Sequence, residues 1–229
     1  MVRFEAFSDL STRDAPVRGY LHTSTDPGAN CLVLTHGAGA NCETPLLTAL
    51  SDAFGAKGWT VLRCDLPFRQ LRPHGPPPWG SAERDQAGLR AAVAAMRRRG
   101  AGSMVLGGHS YGGRQASILA AAEPRLVDSL LLLSYPLHPP RKPAEVRTQH
   151  FPSLHTPALF VSGARDGFGT AAEMQSALSL IPARTDLLTI DGAGHELLTK
   201  SNRESLIEEI VSRFLAGFAA HASGRRSEL

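Results

Sequence analysis

The sequence predicts an α/β fold in which a mostly parallel, eight-stranded sheet is covered by helices on both faces. Three observations support this prediction. Strand-like and helix-like segments alternate almost to the end of the chain. Most strand-like segments are short apolar runs, which is typical of strands buried on both faces. Polar and glycine-rich loops follow several of these runs, and parallel sheets bind ligands at the carboxyl ends of their strands.

Eight segments have the pattern of strands. The first two are predicted to form an edge hairpin, and the others contribute the apolar strands of the sheet. In chain order the segments are residues 2–7, 16–22, 31–35, 60–63, 103–107, 130–134, 158–162 and 186–190.

Helices are predicted between the strands. Ser81 is the expected N-cap of the second helix, because a serine hydroxyl can accept a hydrogen bond from the first free backbone amides. The arginines at 97–99 end the same helix, where cations suit the C-terminus. A proline-rich loop is predicted over residues 67–80. The predicted helices cover residues 45–57, 81–99, 113–122, 170–180 and 203–220.

The chain has 229 residues, which suits one domain with a sizeable core. We predict a single domain over residues 1–222, followed by a polar tail over residues 223–229 to which we assign no function. The connection over residues 135–157 is too short for a large cap domain. The pocket is therefore expected to be open and shallow.

The composition excludes several classes of protein. The net charge is only +3 and the basic residues are scattered, so we expect no nucleic-acid partner. Neither a signal peptide nor a membrane-spanning run is apparent, so we expect no membrane partner. Cys31, Cys42 and Cys64 lack disulfide spacing. Cys31 and Cys64 fall at the edges of predicted strands and are expected to be buried free thiols, which favours a reducing, cytoplasmic location. The oligomeric state is left open.

A nucleophile elbow is predicted at residues 108–112, which have the pattern Gly-x-Ser-x-Gly. An apolar run precedes this segment and a small-residue helical run follows it. A serine on so tight a strand-to-helix turn needs glycines two positions away on each side, where neighbouring chain segments leave no room for a side chain. Ser110 is therefore the candidate nucleophile.

A serine nucleophile needs a base, and the base needs an orienting acid. His195 follows the eighth predicted strand and is the candidate base. Asp166 follows the seventh and is the candidate acid, ahead of the competitors Asp65, Asp191 and Glu196. His109, inside the elbow, is expected to be a packing residue rather than a second base.

The tetrahedral intermediate of acyl transfer needs an oxyanion hole made of backbone N–H groups. The residue after the nucleophile, Tyr111, is one expected donor. Ala38, in the glycine loop after the third strand, is the other, with Gly39 in reserve. The same loop could begin a dinucleotide-binding fingerprint, but Cys42 occupies the position of the third glycine.

No cofactor and no metal is predicted, since the histidines lack ligand spacing. The loops after the predicted strands are expected to form the pocket walls. The residues predicted to contact the substrate are Gly37, Gly39, Arg69, Tyr135 and His138. Four loop cations favour an acidic or carboxylated substrate, unless they are simply solvated. These cations are Arg69, Arg72, Arg141 and Lys142.

Several further blocks carry a family resemblance. They are Thr-His-Gly-Ala-Gly-Ala at 35–40, Asp-Leu-Pro-Phe-Arg at 65–69, Gly-Gly-Arg at 112–114, Ser-Tyr-Pro-Leu-His-Pro-Pro at 134–140 and Phe-Val-Ser-Gly at 160–163. With the elbow, they make the chain resemble the α/β-hydrolase superfamily, and within it the small dienelactone-hydrolase-like branch. That branch includes testis-expressed and histone-acetyltransferase-complex relatives in animals and many bacterial members. The resemblance implies an α/β-hydrolase fold.

The sequence departs from this resemblance in one respect. Dienelactone hydrolases proper use a cysteine nucleophile, whereas this chain has Ser110, which argues against a lactone substrate. The predicted function is a serine hydrolase that cleaves a small-molecule ester, thioester or related acyl compound. Two alternatives stay open: a non-catalytic protein-interaction module on a hydrolase scaffold, and an acyltransferase that uses the same residues.

Overall fold

The computed structural model describes residues 2–25, 28–199 and 201–218. Within these residues eight strands form one sheet, as predicted. Their ends differ from the predicted ends by one or two residues at most. The strands are β1 (Val2–Asp9), β2 (Val17–Ser24), β3 (Asn30–Thr35), β4 (Thr60–Cys64), β5 (Ser103–His109), β6 (Ser129–Leu133), β7 (Ala158–Gly163) and β8 (Thr185–Ile190).

The order of strands across the sheet is β1-β2-β4-β3-β5-β6-β7-β8. The pairs β1–β2 and β2–β4 are antiparallel, which confirms the predicted edge hairpin. All other pairs are parallel. The strands from β3 to β8 therefore end at the same edge of the sheet, and the loops after β3, β5, β7 and β8 meet there.

Six helices pack on the two faces of the sheet within the described residues. They are α1 (Pro45–Ala56), α2 (Pro67–Leu71), α3 (Ala82–Arg98), α4 (Tyr111–Ala122), α5 (Ala171–Leu178) and α6 (Arg203–Gly217). The helix α2 lies in the stretch predicted as a loop and begins with Pro67, whose fixed φ suits the first helical position. The last predicted helix was expected to reach residue 220. Residues 219–220 and the predicted tail 223–229 lie outside the described residues.

Ser81 does not cap α3, and this prediction was wrong. Its side chain makes no hydrogen bond to the amides of the first turn. The backbone of Ser81 is already helical, with φ −75° and ψ −14°, whereas a capping residue is extended. Glu83 and Asp85 supply negative charge to the first turn instead, which favours the positive end of the helix dipole.

The central strands are buried between two apolar cores. Leu32 and Leu34 of β3 face the core that contains side chains of α1 and α6. Val33 faces the opposite core, which contains side chains of α3, α4 and α5. The three cysteines are buried and free. Because both faces are packed, the ends of the strands are held in place and can position loop residues accurately.

The connection between β6 and β7 contains one short 3-10 turn, Phe151–Ser153, and forms no large cap, as predicted. No helix in the described part of the chain combines the length and apolar character needed to cross a bilayer.

Candidate active site

The turn between β5 and α4 is strained at Ser110, which has φ 50° and ψ −115°. A positive φ at a non-glycine residue costs about 1–3 kcal/mol and is concentrated at functional sites. The glycines around Ser110 relieve crowding. A Cβ on Gly108 would lie 2.8 Å from Gly112 C and from Gly113 N, and one on Gly112 would lie 2.5 Å from His36 O. The strand and the helix can therefore approach closely enough to present the serine at the sheet edge.

The side chains of Ser110, His195 and Asp166 form one hydrogen-bonded chain. His195 Nε2 lies 2.8 Å from Ser110 Oγ. His195 Nδ1 lies 2.8 Å from Asp166 Oδ2 and 3.0 Å from Asp166 Oδ1. The Asp166 side chain is 1% exposed and that of His195 is 18% exposed. The three residues come from loops after β5, β7 and β8, as the parallel topology requires.

Three further contacts hold the carboxylate and the imidazole. Phe168 N–H donates to Asp166 Oδ1 at 2.9 Å. The Phe168 ring stacks on the His195 ring at 4.1 Å between centroids. A Cβ on Gly163 would lie 2.4 Å from Gly194 O, so the loops after β7 and β8 touch through their backbones. The imidazole is thus packed on one face and hydrogen-bonded at both ring nitrogens.

The competing acids lie elsewhere. Asp65 Oδ1 accepts a hydrogen bond from Cys42 N at 2.7 Å and lies 3.4 Å from His36 Nε2. Asp191 and Glu196 are exposed, and no contact joins either carboxylate to the His195 ring within the described residues. Among the described residues, Asp166 is therefore the carboxylate that contacts the His195 ring.

His109 is a packing residue of the elbow. Its Nε2–H donates to the His195 backbone O at 2.9 Å, and its ring lies 5.3 Å from the His195 ring. Burial lowers the pKa of His109, so its ring is neutral near pH 7. Its neutral ring anchors the loop that carries His195.

The loop after β3 lies against the elbow. A Cβ on Gly37 would be 3.4 Å from Ser110 Cβ, whereas one on Gly39 would have no neighbour within 4 Å. His36 is fully buried. Its Nδ1–H donates to Gly37 O at 2.8 Å, and its Nε2 accepts from Leu66 N at 3.1 Å. A buried neutral imidazole therefore fixes the glycine loop beside the serine.

The two amides expected to form an oxyanion hole are those of Ala38 and Tyr111. Tyr111 is the first residue of α4, and the first amides of a helix have no acceptor inside it. Neither amide has a hydrogen-bond acceptor among the described residues. Both are therefore available to a ligand at the edge of the sheet.

Asp85 supports this region and was missed by the sequence analysis. It is fully buried, and burial raises the pKa of its carboxyl group. Its Oδ2 accepts from the Tyr111 hydroxyl at 2.7 Å and its Oδ1 accepts from Phe68 N at 3.0 Å. The carboxylate therefore ties the start of α4 to α2.

Arg69, which was predicted to contact the substrate, is instead buried among backbone carbonyls. It is 5% exposed. Its Nε donates to Ala40 O at 2.7 Å, and its Nη1 donates to Arg72 O at 2.9 Å. Its Nη2 donates to both Ala38 O and Gly75 O at 2.8 Å. The guanidinium is thus enclosed by backbone carbonyls and holds the glycine loop rather than a substrate.

Two other residues expected to contact the substrate are also buried in contacts of their own. Tyr135 is 2% exposed, and its hydroxyl donates to the backbone O of Arg147. His138 is 6% exposed and lies in a groove of about 470 Å³ against α5, whose lining does not include Ser110 or His195. Tyr135 therefore anchors the loop after β6, and His138 lies in the groove against α5.

The half-buried His150 predicts a loss of stability in acid. Burial and the nearby Arg114 lower the pKa of His150 to about 4. The unfolded state, in which the histidine pKa is about 6.5, then binds a proton more readily than the folded state. The contribution of neutral His150 to the free energy of unfolding is therefore complete above about pH 6.5 and is lost as the pH falls towards 4. We expect protonation of His150 to lower the free energy of unfolding by about 3 kcal/mol over this range.

Urea unfolding of the wild type and of His150→Gln, at about pH 7 and about pH 4.5, measures how much of the loss of stability in acid is due to His150. The glutamine can keep the hydrogen bond that His150 Nε2 makes with Ser117 Oγ at 2.8 Å. The variant should lose less stability on acidification than the wild type. Equal losses would show that His150 does not contribute.

Comparison with known proteins decides the family. Residues 28–223 match a family model described as an alpha/beta hydrolase domain. The chain belongs to this α/β-hydrolase family. The family and the fold confirm the prediction of an α/β hydrolase.

Solved α/β hydrolases share the fold. A dienelactone hydrolase from Anabaena variabilis is 18% identical, with a TM-score of 0.74 over 94% of this chain and 98% of that chain. Est1E from Butyrivibrio proteoclasticus is 16% identical, with a TM-score of 0.72 over 93% of this chain and 99% of that chain. An esterase from Pyrococcus furiosus is 16% identical, with a TM-score of 0.72 over 94% of this chain and 91% of that chain. At these identities the likeness shows the fold.

Proposed function

We propose that this α/β hydrolase is a serine hydrolase that cleaves a carboxylic ester, thioester or related acyl compound of small size through an acyl-enzyme. The observation that carries the proposal is the hydrogen-bonded chain from Asp166 through His195 to Ser110, with a heavy-atom distance of 2.8 Å at each link. A serine hydroxyl is a weak nucleophile near pH 7, and this arrangement is the one that activates it.

Acylation begins with transfer of the Ser110 proton. Because the Asp166 carboxylate accepts from Nδ1–H of His195, the lone pair of the imidazole is on Nε2, which faces Ser110 Oγ. As Oγ attacks the substrate carbonyl carbon, its proton passes to Nε2. The imidazolium that forms is stabilised by the buried carboxylate. Nε2–H then protonates the leaving group, and the acyl group remains on Ser110.

The negative oxygen of each tetrahedral intermediate would be bound by the amides of Ala38 and Tyr111. The absence of a protein acceptor for either amide in the described residues supports this assignment. Each donor of this kind is worth about 3 kcal/mol of transition-state stabilisation. The contacts of His36, Asp85 and Arg69 keep the two donors in place before substrate arrives.

Deacylation repeats these steps with water. His195 Nε2 accepts a proton from a water molecule as the water attacks the acyl carbon, and then returns that proton to Ser110 Oγ. The free acid leaves and the serine is restored. The same imidazole thus acts as base and acid in turn.

Labelling with a fluorophosphonate tests the proposal. The reagent should add to the wild type with the mass of one phosphonyl group, and digestion should locate that mass on the peptide that contains Ser110. Ser110→Ala should remain unlabelled although it is folded by circular dichroism. Ser117→Ala, which alters another serine of α4, should still be labelled. A folded wild type that is not labelled, or a Ser110→Ala variant that is, would overturn the assignment.

A further inference from the structure

An aromatic side chain that the proposed reaction does not use lies directly against its base. The ring of Phe168 stacks on the ring of His195, with 4.1 Å between centroids and 29° between planes. The ring of His109 also lies near that of His195, at 5.3 Å, but His109 is buried. Phe168 is only half-buried. Of these two neighbours of the imidazole, Phe168 is therefore the one that a substrate can contact.

The backbone of Phe168 is fixed on both sides. Its N–H donates to Asp166 Oδ1 at 2.9 Å, and its C=O accepts from His138 N at 3.0 Å. A Cβ on Gly169 would lie 2.9 Å from Leu137 Cβ, so the next residue packs closely on the loop after β6. The ring is therefore presented in one place, and little conformational entropy is lost when a ligand packs on it.

The order of the strands gives the site two sides. Ser110 follows β5, which lies between β3 and β6 in the sheet. Ala38, a proposed oxyanion donor, follows β3 on one side. Phe168 and His195 follow β7 and β8 on the other side. The carbonyl oxygen of a bound ester is thus directed towards the β3 side, and the group that His195 protonates lies on the β7 side.

The leaving group has to lie beside the imidazole. His195 Nε2–H protonates the leaving oxygen or sulfur, which requires a distance of about 2.6–3.2 Å between the two atoms. The substituent on the leaving atom then extends along the ring on which Phe168 stacks. Open space adjoins both residues, since a Cβ on Gly167 or on Gly194 would have no neighbour within 4 Å. There is room here for an organic group.

We propose that Phe168 forms one wall of the leaving-group site and that the preferred substrates are esters or thioesters of an aromatic alcohol or thiol. This inference rests on the proposed function of Ser110 and names the substrate class. A second aromatic ring can make an offset-stacked or edge-to-face contact with Phe168. Burial of the apolar surface that Phe168 still exposes adds to the affinity. A small polar leaving group gains neither contribution.

A kinetic experiment compares benzyl butyrate with 2-methoxyethyl butyrate, which share the acyl group and release alcohols of similar acidity. Because kcat/KM covers the steps through acylation, in which the alcohol departs, the ratio of the two values reports on the leaving-group site. The wild type should favour the benzyl ester. Phe168→Leu should lower the ratio by about three- to tenfold, the range for a lost contact between rings. Phe168→Tyr keeps the ring and should preserve the ratio.

Two controls separate contact with the leaving group from a structural role. Phe4→Leu makes the same change at an exposed side chain of β1, at the far edge of the sheet, and should keep the ratio. In Phe168→Leu, the ratio of kcat/KM for benzyl butyrate to that for benzyl acetate, which share the leaving group, should stay unchanged. Equal losses on all esters would assign Phe168 to the support of His195 alone. A change confined to the acyl ratio would place Phe168 at the acyl group. Either result overturns the proposal.

A labelling experiment needs no turnover. Benzyl alcohol should slow the reaction of Ser110 with a fluorophosphonate more than 2-methoxyethanol does at equal concentration. This difference should disappear in Phe168→Leu and persist in Phe168→Tyr. A protein that is labelled on Ser110 but on which the two alcohols act alike would overturn the leaving-group site alone. A folded protein that is not labelled would overturn the proposed function and this site with it.

Discussion

Replacement of Asp166 by asparagine is expected to lower kcat for ester hydrolysis by about 10⁴-fold while the protein stays folded. The reason lies in the two contacts of the carboxylate. Phe168 N–H donates to Oδ1 and therefore requires an acceptor at that position. The amide oxygen of the introduced side chain must accept this hydrogen bond, which leaves the amide NH₂ at the position of Oδ2, 2.8 Å from His195 Nδ1.

The substitution therefore changes the tautomer of the His195 imidazole. An NH₂ group facing Nδ1 makes Nδ1 an acceptor, so the ring proton moves to Nε2. A protonated Nε2 cannot accept the proton of Ser110, although the distance between them is unchanged. The loss should appear in kcat at near-neutral pH, with a far-ultraviolet spectrum and a Tm close to those of the wild type.

Glu196→Gln is the matched control for Asp166→Asn. It makes the same acid-to-amide change beside the same histidine, but at an exposed side chain without contact to the ring in the described structure. We expect kcat within about twofold of the wild type, as for a surface substitution. An Asp166→Asn variant that keeps a tenth or more of the wild-type kcat would show that another group orients His195.

The sequence could predict which loops meet because parallel strands have one carboxyl edge. The apolar runs of β3 and of β5 to β8 are short and continuous, so both their type and their direction follow from pattern. Ser110, Asp166 and His195 then lie in loops at the same edge. The strained φ of Ser110 was also foreseeable, since glycines two positions away on each side serve that turn.

The supports of the site could not be predicted in the same way. Asp85 lies in the first turn of α3, where acidic residues are common, so nothing in the local pattern distinguishes it from an exposed residue that favours the helix dipole. Its contact with the Tyr111 hydroxyl depends on how α3 packs on α4. The helix α2 was missed because a segment that is rich in proline reads as a loop, although a proline also suits a helix start.

Arg69 shows the same limit for a charged residue. From the sequence, an arginine in a loop rich in proline and glycine is expected to be solvated or to face a ligand. The structure instead encloses Arg69 in four backbone carbonyls. Which carbonyls surround a guanidinium depends on loops that are distant in sequence, as Ala38 and Gly75 are from each other. Local pattern carries no information on that arrangement.

Arg69→Met should therefore affect stability and catalysis together. The methionine can occupy the space of the side chain but leaves Ala38 O, Ala40 O, Arg72 O and Gly75 O without their shared donor. We expect a loss of about 2–4 kcal/mol in the free energy of unfolding, measured by urea titration. Because Ala38 also carries a proposed oxyanion donor, kcat should fall by about a hundredfold for every ester.

Arg72→Met separates this structural role from direct recognition of a substrate anion. The Arg72 side chain is exposed in the same loop, while its backbone O still accepts from Arg69. Its unfolding free energy should change by no more than about 0.5 kcal/mol. If Arg69 instead bound the substrate, Arg69→Met would keep its stability and lose kcat/KM only for an ester that carries a carboxylate. Equal losses on neutral and anionic esters, accompanied by the loss of stability, distinguish a residue that holds the oxyanion loop from one that holds the substrate.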